Sequence, residues 1–473
     1  INPTKEYPDK DWYDWRVWED RADQFLGEDL IKNAYIVDKK ERSDYIDKLR
    51  QTFLAKYPEQ MLEPGVNAKV VEYIFNATMK LKVTESVFKF NKRIDGRTFD
   101  QIRSISVEVG LLPFTHGSAL FTRGQTQALV TVTLGGGQDE QRTESIMDSD
   151  QDGSFMLHYN FPPFSVGEVR MLRAPSRRDV GHGHLAASSF KYMLPSKENF
   201  PYTIRIVSDI LESNGSSSMA TTCGSTMALM HAGVQIKKMV GGIAMGLLKN
   251  KEEKIIVLSD ISGFEDDYGL MDFKVAGTEQ GVTAIQLDIK YKGGFSREVF
   301  KAALKQALQG RLHILGEMKK VMSVPSPTLS DLVPKVVSFT IATDKIGAVI
   351  GSGGKTIREI IETTGTTIDV DEGLVKVFGG PDSKLDLAVR WVKTLAGQIE
   401  KGSIYEGKIR RFADFGIFVE LVPGLDGLVH ISNVPRHLQK TFAQQLKMND
   451  VVKVQVLEYD DVSGRISLRL LID

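Results

Sequence analysis

The stretch Ile346-Gly347-Ala348-Val349-Ile350-Gly351-Ser352-Gly353-Gly354-Lys355, with Thr356 next, decides how the C-terminal part of the chain is read. Its Gly-x-x-Gly turn, Gly351 to Gly354, lies between an apolar helical run (Ile346, Val349, Ile350) and a second helix. Glycines there remove the Cβ atoms that would keep a sugar-phosphate backbone away from main-chain N–H groups. Lys355 adds a charge where phosphates would pass. The Gly-Lys-Thr is not a Walker A loop, because that spacing must follow a buried strand and here an apolar helix precedes it. Downstream, residues 367–370 and 375–378 read as short strands, and a further helix runs through Trp391.

This succession resembles a KH domain over residues 335–401, in which Gly351, Ser352, Gly353, Gly354 and Lys355 would contact RNA. Residues 402–473 are β-rich with repeated glycine turns, which suggests a small barrel. Alternation along Gly407-Lys408-Ile409-Arg410-Arg411-Phe412-Ala413-Asp414-Phe415-Gly416-Ile417-Phe418 and the later segment through His430 predicts Phe415, Phe418 and His430 near one face. Lys408 and Arg410 fall beside them. Aromatics interleaved with cations suit single-stranded nucleic acid, each stacked base contributing about 1–3 kcal/mol. The same phenylalanines also fit a barrel core, at least in part. The paired segments resemble an S1 domain, an OB-fold RNA binder.

Working toward the N-terminus, Ser323-Val324-Pro325-Ser326-Pro327 opens a linker over residues 323–334. Residues 89–322 alternate strands and helices, the α/β signature of one domain with one core. The clearest strands are 104–109, 128–134, 202–208, 254–258 and 284–289, and helices are expected over 219–232 and 296–322. The second helix would carry Val299, Ala303, Leu304, Leu308, Leu312 and Leu315 on one face. Residues 1–88 read as helical, with amphipathic runs near 39–49 and 67–81. Trp12, Trp15 and Trp18 recur there at helical spacing, as a ligand-stacking stripe or as a surface packed against another domain.

Composition sets the limits within which these units act. The chain has 473 residues, enough for three to four domains at about 100–200 residues each. Sixty Lys plus Arg against 61 Asp plus Glu give a net charge of -1, so a nucleic-acid site must be built locally and not from bulk charge. No run is long and apolar enough for a membrane span. The single cysteine, Cys223, excludes a disulfide framework and fits a reducing compartment; its i, i+4 spacing with Met219 and Met227 suggests core. Asn2, Lys5, Asp9 and Asp11 interrupt any signal-peptide core, and the start at Ile1 suggests a fragment or a processed product.

Three segments of the middle domain carry chemistry. Arg177-Arg178-Asp179-Val180-Gly181-His182-Gly183-His184 reads as a basic, glycine-rich loop apt for phosphodiester contacts, or as a solvated charge pair. Ser213-Asn214-Gly215-Ser216-Ser217-Ser218 precedes a helix of small residues, where hydroxyls and free N–H groups form an anion cradle or simply a helix cap. Asp260-Ile261-Ser262-Gly263-Phe264-Glu265-Asp266-Asp267 leads to Asp272 and Lys274. Its carboxylates could share a hard cation; a solvated acidic turn explains Glu265 and Asp267 well and Asp272, flanked by Met271 and Phe273, less well.

Together these strings resemble the second RNase PH-type core of the polynucleotide phosphorylase family. Arg93-Ile94-Asp95-Gly96-Arg97, the run from Thr115 to Gly124 and the run from Phe155 to Phe164 follow in the family's order. The resemblance covers nearly all the chain after about residue 20. It implies an α/β (α+β) RNase PH-like core, of the ribosomal protein S5 domain 2-like type, preceded by a helical segment and followed by KH and S1 modules. It implies phosphorolysis of single-stranded RNA from the 3′ end, releasing nucleoside diphosphates, reversible as template-free polymerisation. Ser216, Ser217 and Ser218 would hold inorganic phosphate as co-substrate, with His182 nearby, and Arg177 and Arg178 would contact the RNA. Asp266 and Asp272 would hold Mg²⁺ or Mn²⁺, supported by Lys274. Asp179 stands where the family more often has Glu. A homotrimer, helicase or endoribonuclease partners, and a bacterial cytoplasm or an organelle are also implied. Family members carry a first RNase PH-type core ahead of the helical segment, and it is absent from this sequence. A hydrolytic metal-dependent exoribonuclease and a non-catalytic RNA-binding scaffold are the alternatives.

Overall fold

The computed structural model describes residues 15–58, 62, 66–141, 153–172, 174–291, 294–435, 445–460 and 463–471. These fall into two compact units. The second comprises the chain after residue 330 with 134–140 and 201–203, and the first comprises the rest. Among the described residues no helix is long and apolar enough to cross a membrane.

The first unit opens with helices α1 (Arg16–Phe25), α2 (Glu28–Lys32), α3 (Lys39–Ala55) and α4 (Ala68–Phe90). Asp38 and Asn67 cap α3 and α4 by accepting from Glu41 N and Val70 N, which is why both helices start there. Trp18, Phe53 and Phe75 are fully buried in the cluster these helices share, and the Phe53 and Phe75 rings stack at 5.2 Å. The expected tryptophan stripe is therefore corrected: Trp18 is core of its own segment, with the Arg21 guanidinium 4.4 Å from its ring, and Trp15 packs partly on the same cluster. Trp12 lies outside the described residues.

The core that follows is built on two sheets. Strands β1 (Ile105–Val109), β2 (Gly117–Arg123), β3 (Thr126–Gly135), β4 (Phe155–Asn160) and β5 (Thr203–Glu212) form one, in the order β1-β2-β3-β5-β4. Strands β6 (Gly241–Lys249), β7 (Ile255–Ser259), β8 (Met271–Gly277) and β9 (Val282–Ile289) form the other, in the order β7-β6-β8-β9 and antiparallel throughout. Helix α6 (Ser217–His231) packs against β2 of one sheet and β6 of the other, and every residue from Ser217 to Met230 is buried. Cys223 is part of that core, as its spacing predicts, and burial pushes its thiol up to about 11. Strands β6 and β8 escaped the sequence reading because they are buried on both faces. Such strands lose the polar alternation that marks a half-buried one.

Helices α5 (Arg177–Ser188), α7 (Gly263–Tyr268) and α8 (Arg297–Val321) complete the unit. The buried face of α8 differs from the expected one. Ala303, Ala307, Gly310, Ile314, Leu315 and Met318 face the core, whereas Leu304, Leu308 and Leu312 are about 40% exposed. Close approach selects the small residues: a Cβ on Gly310 would lie 2.3 Å from Ile243 Cδ1.

In the second unit, β10 (Lys335–Thr340), α9 (Ile346–Ile350), α10 (Lys355–Thr364), β11 (Thr366–Asp371), β12 (Leu374–Gly379) and α11 (Leu385–Leu395) form an antiparallel sheet of order β10-β12-β11 with its helices. Strands β13 (Ile404–Ala413), β14 (Gly416–Val422), β15 (Leu425–His430), β16 (Val451–Asp460) and β17 (Arg465–Leu471) close a barrel in the order β13-β14-β15-β17-β16, with β15 and β17 parallel.

Candidate active site and nucleic-acid interface

The site grows from the loop before α6. Gly215 and Ser216 both adopt the left-handed conformation, at φ of 87° and 60°. A Cβ on Gly215 would lie 2.6 Å from Gly263 N, so only glycine lets the loop press against the start of α7. Four successive carbonyls of this loop are each held from outside. Lys39 Nζ donates to Ser213 O at 2.8 Å, Arg103 Nη1 to Asn214 O at 2.7 Å, Thr126 Oγ1 to Gly215 O at 3.0 Å and Arg123 Nη2 to Ser216 O at 3.0 Å. Met219 N and Ala220 N donate to Ser216 O, so the loop presents the N–H groups of Ser217 and Ser218 at the positive end of a 15-residue helix.

A buried charge network fixes those donors. Asp260 Oδ1 lies 2.7 Å from Arg103 Nη2 and 3.0 Å from Arg123 Nε, and Arg97 Nη1 is 3.3 Å from Oδ2. Burial raises the Asp260 pKa, but Arg103, Arg123 and Arg97 outweigh it and hold the carboxyl far below the usual range. Arg93 forms a bidentate pair with Glu265, which also caps α7 through Ser262. Glu265 is thus a buried partner of arginine, correcting the solvated-turn alternative for this residue; Asp267 is exposed. Four guanidiniums (Arg93, Arg97, Arg103, Arg123) stand against three carboxylates (Asp95, Asp260, Glu265), a surplus of positive charge beneath the loop.

Above it lies a cavity of about 630 Å³ whose wall includes Ser216, His182, Arg178, Asp266, Asp272 and Lys274, with Lys39, Gln286, Asp288 and Lys290. Six of the residues singled out in the sequence thus meet in one place. Ser217 and Ser218 do not join the wall. Ser217 Oγ is 2.7 Å from Tyr159 OH, and Ser218 Oγ is buried without a partner, because the helix turns both side chains inward. Of the three serines, Ser216 alone borders the cavity. The basic loop is likewise corrected: Arg177 and Arg178 begin α5, where Ser176 and Asp179 make a capping box. Arg178 lies 3.9 Å over the Phe161 ring and borders both this cavity and a second one of about 630 Å³, while exposed Arg177 borders neither.

His182 Nδ1 is 3.4 Å from Tyr159 OH. Burial, with Lys274 and Arg178 nearby, pushes its pKa down to about 3, so the imidazole is neutral; burial pushes Tyr159 up to about 12. Asp272 Oδ2 is 3.0 Å from Lys274 Nζ, while its Oδ1 is buried with no partner. Burial raises the Asp272 pKa against the pull of Lys274. Asp266 Oδ1 accepts from Lys290 Nζ at 2.9 Å. Among the described residues no group of three or more His, Cys, Asp or Glu is disposed for a metal. Gln286, Asp288 and Lys290 were missed in the sequence. The signal was period two: Asp272 pairs with Asp288 and Lys274 with Gln286 in the β8–β9 register, so all share one face.

In the KH-like unit, Gly351, Gly353 and Gly354 all have positive φ, exposed Ser352 lies within the turn and exposed Lys355 follows it. Arg358, not anticipated, donates to Gly353 O at 2.6 Å and Gly354 O at 3.2 Å, tying down the carbonyls of the turn. In the barrel, Phe415 and Phe418 meet edge-to-face at 6.1 Å, and His430 pairs with Gly416 in register. Arg411 adds a cation that the sequence reading did not single out. A register shift between Ile409 and Arg411 places Arg411 opposite Phe418, 4.2 Å over its ring. Arg410 instead donates to Glu420 at 2.8 Å, and Glu420 is also the register partner of Lys408.

An RNase PH-type core joined to KH and S1 modules defines the class. Family models match in the same order: "Polyribonucleotide nucleotidyltransferase, RNA binding domain" over residues 19–98, "3' exoribonuclease family, domain 1" over 101–235, "KH domain" over 336–394 and "S1 RNA binding domain" over 398–470. The polyribonucleotide nucleotidyltransferase of Thermodesulfovibrio yellowstonii is 47% identical over 93% of this chain and 62% of its own length, and that of Phenylobacterium zucineum 48% over 93% and 62%. The Caulobacter sp. protein of the same name is 52% identical over 80% of this chain and 53% of its own length. A crystal structure of rice Rrp46 is similar over 48% of this chain and 98% of its own, at 17% identity and a TM-score of 0.39. The chain belongs to the polyribonucleotide nucleotidyltransferase family, and it spans less than two thirds of the length of these curated relatives.

Proposed function

We propose that the cavity at the start of α6 binds inorganic phosphate against the 3′ end of single-stranded RNA, and that the chain carries the phosphorolytic site of its family. The observation that carries this reading is the meeting in one cavity wall of Ser216, His182, Arg178, Lys274 and two carboxylates, over a helix N-terminus and a surplus of buried guanidinium charge.

In the proposed reaction a phosphate oxygen attacks the phosphorus of the terminal phosphodiester. A new P–O–P bond forms, the P–O3′ bond of the penultimate nucleotide breaks, and the proton delivered to O3′ restores its hydroxyl. A nucleoside diphosphate leaves, and one anhydride has replaced one ester, so the reaction runs readily in both directions. Positioning and charge neutralisation carry such a step. The first-turn N–H groups of α6 and Lys274 hold the phosphate. Neutral His182 hydrogen-bonds the reacting groups. Arg178, braced on Phe161, holds an RNA phosphate with Arg177 behind it.

Asp266 and Asp272 would hold Mg²⁺, or Mn²⁺ in its place. The partnerless buried Oδ1 of Asp272 fits that role, since a hard cation with retained waters needs only one or two carboxylates. The ion would neutralise charge developing on the phosphoryl oxygens. Binding of RNA at the Gly351–Gly354 turn with Ser352 and Lys355, and at Phe415, Phe418, His430, Arg411, Lys408 and Arg410 of the barrel, would raise the RNA concentration at the site. A homotrimer in a bacterial cytoplasm, working beside a helicase or an endoribonuclease, completes the proposal.

Incubating the chain with 3′-hydroxyl RNA and Mg²⁺, with and without phosphate, tests the reading. Nucleoside diphosphates released only with phosphate support it. Monophosphates released without phosphate establish hydrolysis instead, and bound but undegraded RNA establishes a scaffold.

A further inference from the structure

The helical segment reaches the phosphate cavity through a single cation that the proposed mechanism leaves unused. Lys39, the first residue of α3, lies in the cavity wall with Ser216, His182 and Arg178. Its position is built in from several sides. Lys39 N donates to Gln125 Oε1 at 3.1 Å, and Gln125 Nε2 donates to Asp38 Oδ2 at 3.0 Å. Asn214 Nδ2 donates to the same Gln125 oxygen at 3.3 Å, and Asn214 Oδ1 accepts from Gly263 N at 3.2 Å. One glutamine at the β2–β3 turn thus locks the start of α3 to the loop before α6.

The Lys39 ammonium is half-buried, yet among the described residues its hydrogen-bond partner is a neutral carbonyl, Ser213 O, and no carboxylate lies within ion-pairing distance. Two of its three N–H donors are left for another ligand. Burial lowers its pKa, Glu212 opposes the shift, and Arg42 and Arg178 add to it. A half-buried ammonium with no carboxylate paired to it, beside a helix N-terminus and a second cation, is a position prepared for an anion.

We propose that Lys39 is a ligand of the anion in this cavity, so that the helical segment supplies part of the phosphate site and does not serve only as a connector. This rests on the phosphate reading of the cavity. Lys39 grips the outer oxygens of the phosphate while the α6 N–H groups hold it from below. It also makes the site conditional on α3 being docked, through Gln125 and Asn214.

The test is inorganic phosphate binding by the whole chain, read by calorimetry and by phosphate-dependent thermal stabilisation, for the wild type, Lys39→Met, Lys39→Gln and Lys39→Arg. Removing the charge is expected to raise the phosphate Kd about tenfold in Lys39→Met and Lys39→Gln, as loss of one charge-assisted hydrogen bond should. Lys39→Arg is expected to restore most of the affinity. Loss of the hydrogen bond to Ser213 O is expected to lower the melting temperature without phosphate slightly, whereas the further rise on adding phosphate should shrink in the two neutral variants and return in Lys39→Arg, a pattern a purely structural role would not produce. Wild-type phosphate affinity in either neutral variant overturns the role of Lys39 alone. A wild type that binds no phosphate overturns this role and the proposed function together.

Discussion

At the scale of single residues, the account turns on His182 and Glu265. His182 is held near a pKa of about 3 by burial, Lys274 and Arg178, against an ordinary value of 6.5. Between those values the unfolded chain binds the extra proton, so the contribution of His182 to stability is lost as pH falls through that window. Its ring resonances are expected to stay flat in an NMR titration from about pH 8 to about pH 5, where an unperturbed histidine would titrate. A midpoint near the ordinary value would contradict the buried, neutral role. Glu265 is raised by burial, but Arg93 and Arg97 outweigh this and its folded pKa is lowered, so its stabilisation is present above the carboxylate range and lost on acidification. Glu265→Gln leaves Arg93 without its charge partner and is expected to cost about 3–5 kcal/mol in denaturant unfolding. A loss under about 1 kcal/mol would show that the pair is dispensable. The sequence singled out His182, Asp272 and Lys274 because each stands in a motif, and all three border one cavity. It could not show that Ser217 and Ser218 point inward, because that depends on where Ser216 enters α6 with a left-handed backbone.

At the scale of elements, legibility followed polar alternation in part, and β2 and β4 were also missed. Half-buried strands such as β1 and β3 alternate and were found; β6 and β8, buried on both faces, carry no such signal. The face of α8 was misjudged for a related reason. Counting leucines locates hydrophobicity, whereas packing against β6 demanded the small side chains of Ala303, Ala307 and Gly310. A bulge is invisible to alternation altogether. One extra residue in β13 puts Arg411 over Phe418 and leaves Arg410 on Glu420. Arg411→Ala is therefore expected to weaken binding of a single-stranded oligonucleotide about three- to tenfold. Arg410→Ala should change it less than about twofold, its charge being already compensated. Fluorescence anisotropy with a short RNA separates the two, and the reverse ranking would mean that the bulge does not govern the binding face.

At the scale of the whole molecule, a net charge of -1 is compatible with RNA binding because positive charge is concentrated at a few places. One lies beneath the α6 loop, where the guanidiniums of Arg93, Arg97, Arg103 and Arg123 outnumber their carboxylates. Others lie at Lys355 and at Arg411. The order of modules was legible in the sequence because each has a local signature. The convergence of α3, α5, α6, α7, β8 and β9 on one cavity was not, since it joins residues from Lys39 to Lys290. The central claim is that phosphate is the nucleophile in that cavity. Radiolabelled inorganic phosphate supplied with 3′-hydroxyl RNA and Mg²⁺ tests it most directly. The label is expected in the β-phosphate of released nucleoside diphosphates, and Asp272→Asn is expected to abolish this transfer. Release of unlabelled monophosphates, with all the label left in free phosphate, would contradict it.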